Sequence, residues 1–129
     1  MKTIHVTAAV IVQDDKILCV QRNENKFDYI SKKWEFPGGK VEDNERIEDT
    51  IIREIMEELH LAIRVSHFLM QVDHQYPDFR LIMDVFTCEI ESGDLLLTEH
   101  IDHKWLDKSE LLMLDWAAAD IPIVNELIQ

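Results

Sequence analysis

The chain is poor in structure-breaking residues and in positive charge. Only three glycines and three prolines occur among 129 residues, which excludes collagen-like and Pro/Gly-rich disordered segments. Thirteen basic residues stand against 26 acidic ones, giving a net charge of −13. Because DNA and RNA are bound through basic surfaces that contact their phosphates, this balance argues against a nucleic-acid partner.

Cysteines and long apolar runs are also scarce. Cys19 and Cys88 have no metal-type spacing, so we expect free thiols in a reduced, cytoplasmic protein. No apolar run approaches the roughly 18 residues of a membrane span, so no membrane partner is expected. Apolar residues alternate from Ile4 to Val12, which predicts a strand in place of a signal peptide.

The chain has the length of one domain, residues 1–129, and 47% hydrophobic residues to build its core. The patterns predict strands over 3–12, 16–22, 63–73 and 80–90, an extended piece over 34–36, a strand ending at Trp105, loops over 23–33 and 37–44, and helices over 46–59 and 121–128. Asp107 with Glu110 is typical of a capping box. This order indicates an α/β fold layered around a mixed sheet.

Acidic residues are abundant, and three of them share a face of the central helix. Glu54, Glu57 and Glu58 have i, i+3 and i+4 spacing, which places their carboxylates on one side. Such like charges repel by about 0.2–0.5 kcal/mol per pair in an isolated helix. Keeping them together favours a divalent cation, and oxygen-only ligands suit Mg²⁺ or Mn²⁺. On spacing alone, a solvated acidic face is the alternative.

The same helix has an apolar stripe at different angular positions. Ile47, Ile51, Ile55 and Leu59 repeat every four residues, so we expect them to pack on the sheet while the glutamates face a site. His60 falls where the chain leaves the helix, a position that is often left-handed.

A longer motif surrounds the glutamates. Gly39 is followed after five residues by Glu45, and after seven more by the segment 53–61, REIMEELHL. This pattern resembles the Nudix box of the nucleoside diphosphate-linked-moiety hydrolases, with His60 where that family has glycine. The resemblance implies a Nudix-type α/β/α sandwich around a mixed β-sheet, and a hydrolase that acts on acid anhydrides with Mg²⁺, or Mn²⁺ as a substitute.

The resemblance also implies a set of metal ligands. Glu57 and Glu58 correspond to the family's principal ligands, and Glu54 to a further ligand or the general base. The Gly38 carbonyl is another candidate ligand. Glu99 lies six residues before Trp105, where related enzymes have a glutamate that contacts metal or acts as base.

Three residues of the motif are expected to support this machinery. The resemblance implies an ion pair between Glu45 and Arg53 that holds the preceding loop against the helix, which makes Arg53 part of the catalytic apparatus. Gly39 has no Cβ, so the loop backbone can approach the site closely.

Candidate phosphate contacts are cationic. Lys40 directly follows the glycines, and Arg22 ends the second predicted strand; a plain surface cation is the alternative for each. Arg80 lies in the segment 76–80, YPDFR, which resembles a stretch of MutT-type Nudix enzymes with one extra residue.

Candidate nucleobase contacts lie in two segments. Tyr76 has an aromatic ring that can stack on a base. The segment 118–122, AADIP, resembles the closing motif of bacterial CTP pyrophosphohydrolases, which implies that Asp120 reads the base edge. Asp120 is also expected to cap the last helix.

The resemblance therefore implies a MutT-type pyrophosphohydrolase that splits a nucleoside triphosphate into monophosphate and pyrophosphate. CTP, 5-substituted dCTP and 8-oxo-dGTP are the candidate substrates. A dinucleoside polyphosphate or ADP-sugar hydrolase, or a catalytically silent nucleotide-binding module, are the alternatives. The expected partner is a small nucleotide, and the expected assembly is a monomer or homodimer. Its role is either to clean the nucleotide pool, and so to serve DNA repair, or to turn nucleotides over.

Overall fold

A computed structural model describes residues 2–129 as strands, two α-helices and two 3-10 segments. The strands are β1 (Lys2–Gln13), β2 (Lys16–Gln21), β3 (Trp34–Glu35), β4 (Gly38–Lys40), β5 (Ala62–Gln75), β6 (Phe79–Ser92) and β7 (Asp102–Leu106). The helices are α1 (Ile47–Leu59) and α2 (Ile121–Leu127), and the 3-10 segments are Lys108–Met113 and Ala118–Asp120. Neither helix is long and apolar enough to cross a membrane in the described part of the chain.

The sheet is mixed. Its main path runs β3-β2-β1-β6-β5, with β4 paired to β1 and β7 paired to β2. Strands β1 and β6 are parallel over ten residue pairs from Lys2–Phe79 to Ile11–Cys88, while the other pairings are antiparallel. Helices α1 and α2 complete the layers, which confirms the predicted α/β fold class.

Two apolar cores form because side chains of a strand alternate between its faces. Val10 of β1 joins the core that includes Ile123 of α2. Its neighbour Ile11 joins the core of α1, where Ile51 and Ile55 are fully buried. The predicted apolar stripe of α1 is therefore confirmed, and it fixes which side of the helix is left for the glutamates.

The ends of α1 follow the sequence prediction to within one residue. The helix ends at Leu59. The next residue, His60, has a left-handed conformation with φ 59° and ψ 30°, and its N–H donates to the Met56 carbonyl at 3.1 Å. The predicted capping box of Asp107 and Glu110 is also present, at the start of the first 3-10 segment.

Two local predictions were wrong. The loop expected over 37–44 contains β4, whose Ala8–Gly38 pairing brings it so close to β1 that a Cβ on Gly38 would lie 1.9 Å from the Thr7 carbonyl oxygen. Asp120 does not cap α2 with its side chain. Its carboxylate instead accepts a hydrogen bond from the Phe36 backbone N–H at 2.8 Å.

Candidate functional site

Two adjoining cavities lie between β1, β4, α1 and the chain segments around them. The first, of about 280 Å³, is called here the apolar cavity. It is lined by Ile4, Val6, Thr7, Ile30, Phe36, Tyr76, Phe79, Leu81, Met83, Ala117, Ala119 and Asp120, together with the shared residues. The second, of about 560 Å³, is the acidic cavity; besides the shared residues it is lined by Asn23, Glu24, Asn25, Val41, Glu42, Glu54, Glu58, Glu99 and His100. The shared residues are Arg22, Glu35, Gly38, Gly39 and Lys40.

The acidic cavity collects carboxylates from separate parts of the chain. Helix α1 supplies Glu54 and Glu58, and the loop before β7 supplies Glu99. Glu58 is buried, at 7% exposure. Burial, followed by a hydrogen bond with Glu54 and the negative charges of Glu99, Glu54 and Glu35, raises the pKa of Glu58 to about 9. A carboxyl group in such surroundings holds a proton at neutral pH unless a cation takes its place.

Glu57 departs from the predicted cluster. Its side chain is 58% exposed and accepts a hydrogen bond from Arg53 Nη1 at 3.2 Å. Successive helix positions are rotated by about 100°, so Glu57 and Glu58 fall on opposite sides of Glu54. Within residues 2–129 no three acidic, histidine or cysteine side chains stand as a ready metal cluster. The structure thus brings together Glu54 and Glu58 but not Glu57 in the acidic cavity, and the predicted role of Glu57 as a metal ligand stays a prediction.

The residues of the acidic cavity nevertheless fit a hard divalent cation. Carboxylate and carbonyl oxygens are the donors that Mg²⁺ prefers. A Cβ on Gly39 would lie 2.3 Å from the Glu54 carboxyl group, so the missing side chain leaves room for that carboxylate. Gly38, the candidate carbonyl ligand, also lines this cavity.

Arg53 links α1 to the segment before it. It donates through Nε to Glu45 Oε2 at 2.8 Å and through Nη2 to Glu45 Oε1 at 3.0 Å, so the expected ion pair is present. It also donates to Glu54 Oε1 at 2.9 Å and to the Lys40 carbonyl at 3.2 Å. The Arg53 hydrogen bonds, followed by one from Thr50, lower the pKa of Glu45 to about 2. Arg53 therefore fixes Glu54 and β4 relative to each other.

The apolar cavity has aromatic walls and one buried carboxyl group. Tyr76 is 5% exposed, and its hydroxyl accepts a hydrogen bond from the Ala119 N–H at 3.0 Å. Phe36 stacks on Trp116 with 4.7 Å between ring centroids. Burial, followed by the charge of Glu35, raises the pKa of Asp120 well above its usual range. Asp120 in its protonated form can donate as well as accept a hydrogen bond.

The predicted phosphate contacts divide into two groups. Arg22 and Lys40 line both cavities. Arg80 is not brought to the site: it donates through Nε to Asp73 at 2.9 Å, in an exposed ion pair. Phe79 and Leu81 line the apolar cavity, and alternation along β6 turns Arg80 to the opposite face. The structure therefore places Arg80 away from both cavities, and a substrate contact through it stays a prediction.

Sequence reasoning missed two polar residues of the site. Glu35 lines both cavities, and His100 lies beside Glu99 in the acidic one. The available signal for Glu35 was a charged residue between two aromatics, Trp34 and Phe36. The signal for His100 was its position next to Glu99, but the sequence could not indicate its partner, because Glu35 lies 65 positions away.

The geometry and the sequence comparisons identify the class of protein. A family model described as NUDIX domain matches residues 3–127, so the chain belongs to the Nudix hydrolase family. The chain is 34% identical to the CTP pyrophosphohydrolase of Escherichia coli (strain K12) over 127 residues, which cover 97% of this chain and 91% of that protein. It is 27% identical to the 8-oxo-dGTP diphosphatase of Buchnera aphidicola subsp. Schizaphis graminum, covering 98% and 95%.

Solved structures agree with this assignment. The solution structure of the E. coli ORF135 protein has a TM-score of 0.83 at 31% identity, covering 99% of this chain and 90% of that one. The MutT protein of methicillin-resistant Staphylococcus aureus 252 has a TM-score of 0.76 at 40% identity, covering 99% and 98%. The predicted family, fold and enzyme class are therefore confirmed.

Proposed function

We propose that the protein is a Mg²⁺-dependent pyrophosphohydrolase that cleaves a nucleoside triphosphate, whether unmodified, modified or oxidised, into monophosphate and pyrophosphate. CTP, 5-substituted dCTP and 8-oxo-dGTP are the candidate substrates; CTP and 8-oxo-dGTP appear in the names of its relatives. Residues 1–129 act as one Nudix domain, of which Met1 lies outside the described part. The protein works in the cytoplasm as a monomer or homodimer, and its net charge of −13 disfavours nucleic acid as a partner.

The observation that supports this most strongly is the junction of an apolar cavity with an acidic one. A nucleobase suits aromatic walls with one polar group, here Tyr76 and Asp120. The triphosphate then extends past Arg22 and Lys40, which line both cavities, towards the carboxylates. A nucleoside triphosphate has a base at one end and a polyanion at the other, so it matches an apolar cavity that opens into a cation-lined acidic one.

The proposed metal ligands are Glu54, Glu58, Glu99 and the Gly38 carbonyl, with Glu57 completing the set. Among residues 2–129 the Glu57 side chain forms an exposed ion pair with Arg53, and such pairs contribute little, about 0–1 kcal/mol. When bound, Mg²⁺ neutralises phosphoryl charge and lowers the pKa of water. Mn²⁺ is the expected substitute because it prefers the same oxygen ligands.

The chain's own residues supply positioning and proton transfer. Glu54, fixed by Arg53, is the first candidate to take the proton from the attacking water, and Glu99 is the second. The water oxygen forms a bond to phosphorus as the phosphoanhydride bond breaks, and pyrophosphate leaves. Arg22 and Lys40 hold the phosphates during this displacement.

A substrate panel tests the proposal. CTP, 5-substituted dCTP, 8-oxo-dGTP, dATP, ADP-ribose and a diadenosine polyphosphate are incubated with protein and Mg²⁺, and products are separated by ion-exchange chromatography. We expect monophosphate and pyrophosphate from one of the triphosphates, and none of either when EDTA is present. Preferred cleavage of ADP-ribose or the diadenosine compound would replace this proposal with another Nudix activity. Binding of nucleotide without turnover would identify a silent module.

A further inference from the structure

His100 has one nitrogen bonded and one buried without a partner. Its side chain is 4% exposed and forms part of the wall of the acidic cavity. Nε2 lies 2.9 Å from Glu35 Oε2, and since a carboxylate only accepts, the ring nitrogen donates. Nδ1 is buried and has no hydrogen-bond partner among residues 2–129. An unpaired buried nitrogen costs stability, so its place in the wall of a site calls for a physical explanation.

Glu35 occupies the boundary between the two cavities. One carboxylate oxygen accepts from His100, and the other accepts from Arg22 Nη1 at 3.1 Å. The Glu35 side chain is 18% exposed and lines both cavities. Its negative charge contributes to the raised pKa of Asp120 on one side and of Glu58 on the other. Glu35 is therefore the group through which His100 can act on Arg22.

We propose that His100 is a positioning residue for substrate binding, which clamps Glu35 so that Arg22 is held in the orientation that meets the substrate phosphates. This inference rests on the proposed function, because Arg22 needs a phosphate to bind. A carboxylate held at both oxygens cannot rotate. Arg22 donates one N–H to Glu35, and its other guanidinium N–H groups can donate to phosphate. Fixing the side chain beforehand reduces the entropy lost when substrate binds.

Replacement of His100 by leucine and by glutamine tests the clamp. Leucine removes the donor and the unpaired nitrogen together, whereas glutamine keeps an amide N–H that can reach Glu35. Dissociation constants are measured by calorimetry, with Mg²⁺ and the α,β-methylene analogue of the triphosphate that wild type hydrolyses fastest. We expect His100→Leu to raise Kd and KM about tenfold with kcat within about twofold, and His100→Gln to stay within about threefold of wild type. Thermal unfolding of both variants is measured to show that each is folded at the assay temperature.

A double-mutant cycle shows whether the effect passes through Glu35. Glu35→Gln should raise Kd on its own, and adding His100→Leu should then change it by less than about twofold. The matched control is His103→Leu, since His103 lies three residues further on, in β7, and lines neither cavity among the described residues. Its Kd should equal that of wild type.

Three results would overturn the clamp. The first is that His100→Leu binds the analogue as tightly as wild type. The second is that His100→Gln and His100→Leu lose the same affinity, and the third is that the effects of His100→Leu and Glu35→Gln on Kd are additive. An inactive wild type in the substrate panel would overturn the proposed function as well. An active wild type with any of these three results would overturn the clamp alone.

Discussion

Glu57 and Glu58 are adjacent in sequence and have opposite surroundings. The Glu57 side chain is 58% exposed, whereas Glu58 is buried beside Glu54. At neutral pH a buried carboxyl group must either carry its charge out of water or take up a proton on folding, and both lower the stability of the folded state. An exposed carboxylate does neither. Two residues with the same proposed role therefore make different contributions to stability, and substitutions can separate the two effects.

We expect Glu57→Gln and Glu58→Gln each to lower kcat about 100-fold or more, because each removes a proposed metal ligand. Without metal, Glu58→Gln should raise the free energy of unfolding at neutral pH by about 1–3 kcal/mol. Glu58 releases a proton when the protein unfolds at this pH, which favours the unfolded chain, whereas glutamine has no proton to release. Glu57→Gln should change it by less than about 0.5 kcal/mol. Turnover with Mg²⁺ and urea denaturation in EDTA measure the two quantities.

Glu48→Gln is the matched control, since Glu48 lies on the exposed first turn of the same helix. It should keep full activity and change stability by about 0.5 kcal/mol at most. Normal turnover in Glu58→Gln would exclude this residue from the metal site.

The sequence was sufficient to predict that glutamates of α1 share a site, but not which residues their neighbours bond to. The spacing of Glu54 and Glu58, with the surrounding motif, was sufficient to predict a shared site. Arg53 and Glu57 also have the i, i+4 spacing of a helix ion pair, which competes with the metal site for the Glu57 carboxylate. Spacing alone does not decide between these two partners. The contact of His100 with Glu35 depends on how β3 and the segment before β7 meet, and no local pattern encodes that.

At the scale of elements, β4 contains two glycines that serve different purposes. A Cβ on Gly38 would lie 1.9 Å from the Thr7 backbone oxygen, whereas one on Gly39 would meet the end of the Glu54 side chain at 2.3 Å. Backbone of a central strand cannot move aside, but a glutamate side chain can turn.

We therefore expect Gly38→Ala to lower the free energy of unfolding by about 3 kcal/mol. Gly39→Ala should change stability by less than about 1 kcal/mol yet lower kcat about 100-fold, because it displaces Glu54. Thermal denaturation and turnover of the two variants, each the control for the other, test this. An active Gly39→Ala variant would contradict the proposed position of Glu54 in catalysis.

The end of α1 gives a second prediction at this scale. His60 has φ 59°, a conformation that glycine adopts without steric strain. We expect His60→Gly to raise the free energy of unfolding by up to about 1 kcal/mol. Glycine also increases the conformational entropy of the unfolded chain, which offsets part of this gain. Activity should be unchanged, because His60 does not line either cavity within the described residues.

His60→Ala is the control, as it shortens the side chain but keeps a Cβ. It should be less stable than His60→Gly. The opposite order in urea denaturation would contradict the assignment of strain to this residue.

Most elements were predictable because their periodicity is strong. The four-residue repeat of α1 and the alternation of β1 gave these elements within a few residues. Strand β4 was missed because a segment of two glycines and a lysine has no apolar pattern, and its strand character comes from pairing with β1. Tertiary pairing of this kind overrides local propensity.

At the scale of the molecule, the two cavities depend on strand order. The parallel pairing of β1 with β6 places Phe79 and Leu81 beside residues of β1, and so forms a wall of the apolar cavity. Composition and periodicity indicate that such strands exist, but not which of them become neighbours. The predicted arrangement of the strands therefore depended on the resemblance to a known family, and not on composition or periodicity.

The whole molecule should respond to Mg²⁺ in a manner that depends on pH. The pKa of Glu58 is raised from 4.5 to about 9 in the folded state. Between these values the folded protein binds more protons than the unfolded chain, so the stability of the metal-free protein falls as pH rises. Mg²⁺ binding replaces that proton, and it is therefore favoured by higher pH up to about 9. We expect the increase in Tm on adding Mg²⁺ to be larger at about pH 8 than at about pH 6.

Scanning calorimetry at matched ionic strength measures this difference, with NaCl in place of MgCl₂ as the control. NaCl screens the net charge of −13 at every pH but does not compete for a specific proton. Glu58→Gln has no proton to release, so its response to Mg²⁺ should be small and nearly constant with pH. An equal Tm increase at both pH values in the wild type would mean that Mg²⁺ does not displace the Glu58 proton. The buried carboxyl group would then be part of the fold alone, and the metal would have to bind elsewhere.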